Sequence, residues 1–333
     1  MQDKSFKAMV VSQAEDQTYH RKIASRSIDD LPPGDVLVQV QYSSLNYKDA
    51  LSASGNKGVT RTYPHTPGID AAGVVAESGS EQFKPGDEVI VTSYDLGMNT
   101  AGGFGEYIRV PAGWVVPLPN GLTLRESMCY GTAGFTAALS VYQLVQHGIS
   151  PDRGTVLVSG ATGGVGSIAV AILAKLGYRV AAVNGLVDRT DYLKKIGAQE
   201  IIALEEAIDR SGRPLLKARW AGSIDAVGGD ILATTIKSLN SDGVVTCCGN
   251  AASPDLPINV FPFILRGVTL VGIDSQNCPM PVRMRAWEKL ASDWKIPIME
   301  EVVSEIALVD LDERIDMMLN RQHKGRIIVR LKE

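Results

Sequence analysis

"TVLVSGATGGVGSIAV", Thr155 to Val170, sets an apolar run, a glycine-rich turn and a second apolar run in direct succession. "TVLVSG" reads as a buried strand, "ATGGVG" as the turn and Ser167 to Gly177 as a helix. The first turn of such a helix directs unpaired N–H groups and the positive end of its dipole at whatever lies above, so an anion is expected there. Against the spacing G-x-G-x-x-G, Ala161 takes the first glycine's place, Gly163 and Gly166 fill the other two, and Gly164 lies between. Gly163 would allow close backbone approach to a pyrophosphate and Gly166 close packing of helix on strand. The stretch reads as a dinucleotide cradle.

Working outward, "RVAAVN", "EIIAL", "SIDAVGG", "GVVTCCG" and "VTLVGID" continue the pattern of continuously apolar runs between about residues 125 and 275. Several are separated by helical patterns such as "DRTDYLKKIGA", the alternation expected of a parallel sheet covered on both faces. From about residue 5 to 120 the texture differs: "DVLVQVQYSS", "AAGVVAES" and "DEVIVTSY" are short strand-like runs cut by "LPPGD", "KPGDE" and "PNG" turns, which suits an antiparallel barrel or sandwich. From about 276 an amphipathic helix around "PVRMRAWEKLASDW" is followed by a helix and a strand in "LDERIDMMLNRQHKGRIIVRL".

At 333 residues the chain has room for two cores. A formal charge of −4 speaks against a nucleic-acid or anionic-membrane surface. The start "MQDKSFKAMVVSQ" has no apolar signal region and no long apolar span follows, so a soluble cytoplasmic protein is expected. Cys129, Cys247, Cys248 and Cys278 form no C-x-x-C pair and read as buried thiols.

The kind of dinucleotide is decided at the end of the second strand of the apolar series. An NAD site usually places Asp or Glu there for the ribose hydroxyls, and that carboxylate would repel a 2′-phosphate. "VAAVNGLVDRT" offers Asn184 and Gly185 instead, which favours NADP(H). Arg189, Lys194 and Lys195 are the candidate partners for the 2′-phosphate.

Together "NYKDAL" (46–51), "YPHTPGIDAAGVV" (63–75), "KPGDEVIV" (84–91), "GGFGEYIRVP" (102–111), "GTAGFTAALSV" (131–141), "GATGGVGSIAV" (160–170), "SIDAVGG" (223–229) and "FPFILRGVTLVGIDS" (261–275) resemble the medium-chain dehydrogenase/reductase superfamily. More narrowly, the chain is similar to its zinc-free quinone-oxidoreductase side and the acrylyl-CoA reductase branch. The resemblance implies an α/β protein in which a Rossmann doubly wound parallel sheet is inserted in a GroES-like, β-rich catalytic domain. The expected boundaries are 1–125 for the first part of the catalytic domain, 126–275 for the NADP-binding domain and 276–333 for the return to the catalytic domain, with the active cleft between the two domains. "VTLVGID" would be a sheet edge that pairs with its copy in a homodimer.

Zinc-dependent members of the superfamily use a Cys near "NYKD" and a His-Glu pair near "GID". Here Asn46 and Ile69-Asp70 stand at those places, so no metal is expected. Reduction of an activated C=C bond is the reaction such a site suits: hydride goes to the β-carbon, and the developing enolate needs a donor at its oxygen and a proton at the α-carbon. Tyr47, with Asn46 beside it, is the candidate catalytic pair. Tyr47 could equally be a packed aromatic whose hydroxyl touches the cofactor, and Lys48 and Asp49 are expected to form a local ion pair or turn contacts. By similarity, cofactor contacts fall on Tyr47, Thr136, Thr162, Gly163, Gly164, Val165, Gly166, Asn184, Gly185, Arg189, Asn250, Phe263, Ile264, Ser275 and Asn320. Leu186 departs from the branch, which often has a basic residue there. Arg266, Arg283 and Arg285 are possible partners for the phosphates of a CoA thioester. The acceptor would be an enoyl thioester such as acrylyl-CoA; a quinone or enal reductase and a non-catalytic NADPH-binding protein are the alternatives.

Overall fold

The computed structural model of the chain describes residues 5–185, 189–297 and 302–332. Contacts divide it into two units: 1–132 with 276–291 and 298–333, and 133–275 with 292–297.

The first unit begins with β1 (Ser5–Gln13) and β2 (Tyr19–Ser27), an antiparallel pair. It continues with β3 (Val36–Leu45), α1 (Tyr47–Ala53), β4 (Asp70–Ser78), β5 (Glu88–Thr92), β6 (Tyr107–Val110) and β7 (Val115–Pro117). Alternation along β3 and β4 turns Val36, Val38, Val40, Ala71 and Val75 into one core with Phe104, Ile108 and Leu311. The helix α2 (Leu124–Gln146) is broken at Gly131, where φ is 52°.

The second unit takes its sheet from β8 (Val156–Val158), β9 (Val180–Asn184), β10 (Glu200–Ala203), β11 (Trp220–Asp225), β12 (Leu239–Cys247) and β13 (Thr269–Gly272). Between them run α3 (Gly164–Lys175), α4 (Thr190–Lys195), α5 (Gly229–Lys237) and α6 (Phe261–Arg266). All pairings are parallel, in the order β10-β9-β8-β11-β12-β13. The order reverses between β8 and β11, the doubly wound topology whose crevice lies at that reversal, outside the carboxyl ends of the strands. Residues of β8, β9 and β11 are buried throughout, as a sheet covered on both faces requires.

The chain then adds α7 (Met280–Ala291), β14 (Val303–Ala307), α8 (Leu311–Leu319) and β15 (Arg326–Arg330). β15 pairs antiparallel with β3 and parallel with β14, so the sheet of the first unit runs β14-β15-β3-β4-β5-β7, with β6 also on β3. The strand pairs within residues 5–120 are antiparallel as expected, whereas β14-β15 is parallel. Among the same residues no helix is long and apolar enough to cross a membrane.

Candidate active site

In the second unit the glycine turn follows β8 as expected. Gly163 caps α3, Ser167 makes a backbone bond to the Gly163 carbonyl, and the amides of Gly164, Val165 and Gly166 precede that bond at the helix's open end. Gly166 has no room for a side chain, since a Cβ there would lie 2.2 Å from the Gly160 oxygen, whereas at Gly163 the same oxygen is 3.4 Å away. The turn therefore keeps its backbone bare where a phosphate would approach, and the residues present fit a dinucleotide.

Asp225 braces the turn at the reversal point. It ends β11 fully buried, accepts from Ser159 Oγ at 2.6 Å and Gly228 N at 2.8 Å, and is pushed up by burial. A Ser closing one strand and an Asp closing its neighbour were the available signal, unread because strand adjacency is not local in sequence. Asn184 closes β9, nearly buried, and its Nδ2 lies 3.3 Å from Thr190 Oγ1. Gly185 is exposed, and Arg189 precedes α4 half-buried; Leu186 lies outside the described residues. Asn250 follows β12 and Ser275 follows β13, so Thr162 to Gly166, Asn184, Gly185, Asn250 and Ser275 all come at or just after the carboxyl ends of parallel strands. Thr136 is buried in α2 and Phe263 packs on the core of the sheet, while Ile264 is 67% exposed. Cys248 donates to the Asp225 carbonyl and its thiol is pushed up to about 12 by burial, which makes it an inert structural group.

In the first unit Tyr47 opens α1 and is 51% exposed, while Asn46, the residue before it, is buried. Asn46 turns its amide inward. Its Nδ2 donates to Asp70 Oδ2 at 2.7 Å and its Oδ1 accepts from Arg326 at 3.0 Å. Asp70 also accepts from Ser44 Oγ and from the Thr132 backbone and hydroxyl, and stands 3.7 Å from the Arg326 guanidinium. Asp49 is fully buried beside them. It accepts from Asn46 N and Ile69 N, each at 2.8 Å, and desolvation together with the Asp70 charge raises it to about 7. Of the ion pair or turn contacts expected for Lys48 and Asp49, Asp49 makes a turn contact with Asn46 N, and Lys48 donates to Gln276 Oε1 at 2.8 Å. Asp49, Asp70 and Arg326 thus form a buried polar box under the Asn46-Tyr47 turn, with Cys129, its thiol raised to about 11 by burial, supplying a carbonyl to Arg326. Asn320 caps α8 and donates to the Asp316 carbonyl.

Two of the arginines considered for CoA phosphates are committed elsewhere. Arg283 is fully buried, bonds Thr92 and lies over the Tyr94 ring, and Arg266 bonds the carbonyls of Leu216, Lys237 and Leu239. Arg285 is exposed.

Residues 32–120 match the alcohol dehydrogenase GroES-like domain and residues 164–292 the zinc-binding dehydrogenase family. The acrylyl-CoA reductase AcuI of Ruegeria pomeroyi is 45% identical over 325 residues, covering 97% of this chain and 98% of that protein. The chain belongs to the medium-chain dehydrogenase/reductase superfamily. Within the superfamily it is also similar to YhfP of Bacillus subtilis, a putative quinone oxidoreductase, 47% identical over 319 residues and 96% of each chain. The YhfP crystal structure with NAD bound superposes with a TM-score of 0.96, covering 99% of this chain and 100% of that one. The YhdH oxidoreductase of Salmonella enterica in complex with NADP gives 0.95 at 43% identity, with 98% and 100% covered. The chain is therefore an oxidoreductase of the superfamily's quinone-oxidoreductase branch, a GroES-like domain joined to a Rossmann domain.

The superfamily's zinc does not fit the donors found here. The positions that would carry its ligands hold Asn46 and Ile69-Asp70, and the Arg326 guanidinium is bonded to Asn46, a cation already in place. Among the described residues no group of three or more His, Cys, Asp or Glu is placed to hold a metal ion.

Proposed function

We propose that the protein reduces an activated C=C bond with NADPH and without a metal, in the cytoplasm, with acrylyl-CoA or a similar short enoyl thioester as acceptor. The observation that carries the reading is Tyr47: an exposed phenol at the start of α1 whose backbone is fixed by a buried polar box, in a chain 45% identical to an acrylyl-CoA reductase. When bound, NADPH would supply the hydride for the β-carbon and leave as NADP+. Tyr47 donates a hydrogen bond to the carbonyl oxygen, where negative charge grows as hydride adds, and a proton from water then reaches the α-carbon of the enolate to complete the saturated product. The open amides of Gly164 to Gly166 hold the pyrophosphate. Asn184, neutral where a carboxylate would repel it, leaves space for the 2′-phosphate, with Arg189 as its cation.

The test is NADPH oxidation by chelator-treated protein with acrylyl-CoA, beside 1,4-benzoquinone and NADH controls. Turnover of the thioester with NADPH, unaffected by chelation and lowered about 100-fold in Tyr47→Phe, is the expected result. Turnover of the quinone alone would move the assignment to quinone reduction, the reading the YhfP name favours. NADPH binding with no turnover of either would leave a nucleotide-binding protein.

We also propose a homodimer through β13. This strand is an open sheet edge, and next to it α6 exposes Phe261, Ile264 and Leu265. A second copy related by a two-fold axis would pair the edge and cover that face. Sedimentation should show a dimer for the native chain and a monomer for Ile264→Glu with Leu265→Glu.

A further inference from the structure

Asp49 ties together two segments that are far apart in sequence. Its Oδ2 receives the Asn46 amide and its Oδ1 the Ile69 amide, each at 2.8 Å, so one carboxylate fixes both the residue before Tyr47 and the residue before Asp70. Asn46 Nδ2 lies 2.7 Å from Asp70 Oδ2 and 3.2 Å from Asp49 Oδ2, held between the two acids. Among the described residues, every partner of Asp49 is an N–H donor, an arrangement that suits a carboxylate and has nothing to receive a carboxyl proton.

The charges do not balance. The titratable and charged groups facing Asp49 are Asp70 from β4 and the Arg326 guanidinium from β15; the Cys129 thiol of α2 faces Arg326. Cys129 is raised to about 11 and stays neutral at ordinary pH. Two buried carboxylates therefore face a single guanidinium, and it bonds the Asp70 side of the box through Ser44 and Asn46. Among the described residues Asp49 has hydrogen-bond donors but no counter-ion in contact, and burial sets its titration near neutrality.

We propose that Asp49 is a positioning residue whose carboxylate form grips the Asn46-Tyr47 turn and whose protonated form releases it, so that the placement of the Tyr47 hydroxyl follows the charge of Asp49. Proton uptake at either oxygen removes an acceptor from Asn46 N or Ile69 N. The carboxylate then loses one of its two backbone ties, and Tyr47, already exposed, loses part of what fixes its origin, the Asn46 side-chain bonds to Asp70 and Arg326 remaining. The charged form is the costly one for folding and the ordered one for the turn.

The kinetic consequence rests on the role proposed for Tyr47, and the structural consequence does not. Amide resonances of Asn46, Tyr47 and Ile69 are followed by NMR between about pH 5.5 and 8.5, on either side of the Asp49 titration, in the native protein and in Asp49→Asn. The native protein should show a common transition at about pH 7 at all three amides, absent in Asp49→Asn. With acrylyl-CoA, kcat should rise through the same pH and level off. Asp49→Asn should give a flat profile about 10-fold below the native plateau, with KM for NADPH changed less than threefold. Native amides of Asn46 and Ile69 that do not titrate together overturn the proposal even if the variant fails to fold. A kcat inflection kept in Asp49→Asn, or a loss confined to KM, overturns the positioning role. Absence of turnover with the amide transition present overturns the enoyl reductase reading and leaves the Asp49 grip standing.

Discussion

The two working regions of the molecule are built on opposite plans. The glycine turn of the second unit presents backbone amides, and what matters there is the absence of side chains: a Cβ at Gly166 would sit 2.2 Å from the Gly160 oxygen. The box of the first unit is made of side chains from β3, the start of α1, β4, α2 and β15, up to 282 residues apart, as in the Arg326 bond to Ser44. A backbone site is contiguous and shows in a string of letters. A side-chain site assembled by topology does not.

That contrast can be broken first at Arg326. Arg326→Met would leave Asp70 buried beside Asp49 without its guanidinium, at a cost of about 3–5 kcal/mol, and thermal unfolding should show it as the largest loss among these variants. Gly166→Val should raise the Kd for NADPH about 10-fold or more, or ~1.4 kcal/mol, measured by nucleotide fluorescence, because the turn must open to admit the side chain. Asn184→Asp tests whether the role proposed for this side chain rests on charge. It should weaken NADPH about 10-fold and leave NADH nearly unchanged.

The last effect is a slope. Asp49 is raised from 3.8 to about 7 in the folded state, so between those values the folded chain holds a proton that the unfolded chain has lost. Its contribution to stability therefore falls as pH rises from about 4 to about 7 and is constant above. The slope contributed by this group approaches but does not exceed about 1.4 kcal/mol per pH unit. Denaturant titrations across that range should show the fall in the native protein and a flatter line in Asp49→Asn.

The same contrast explains what could be read from the sequence. The doubly wound sheet, its edge strand and the glycine turn were legible because continuous apolar runs and the turn after β8 are local patterns. Tyr47 was legible as a candidate through its neighbours in "SSLNYKD". The inward engagement of Asn46 and the burial of Asp49 were not, because "NYKD" reads as an exposed polar turn until β4 and β15 close over it. Arg326 lay inside "HKGRIIVRL", one basic residue among several, and only pairing of β15 with β3 brings it to Asn46. Arg266 and Arg283 misled in the reverse direction, since charge suggested solvent and ligands where the fold uses both to bond carbonyls inside the protein.

The break in α2 bears on how this chain can vary. A Cβ at Gly131 would fall 2.4 Å from Asp70 Oδ2, 2.5 Å from Ser44 Oγ and 2.7 Å from Arg326 Nη2, at a φ of 52° that side chains rarely adopt. The break also frees the Thr132 amide to point at Asp70 rather than back along the helix. Position 131 is thus a gate on mutational drift: in a saturation library selected for folding it should admit glycine and little else, and any lineage that exchanges the box for another arrangement must change Asp70 or Arg326 before this residue becomes free to move.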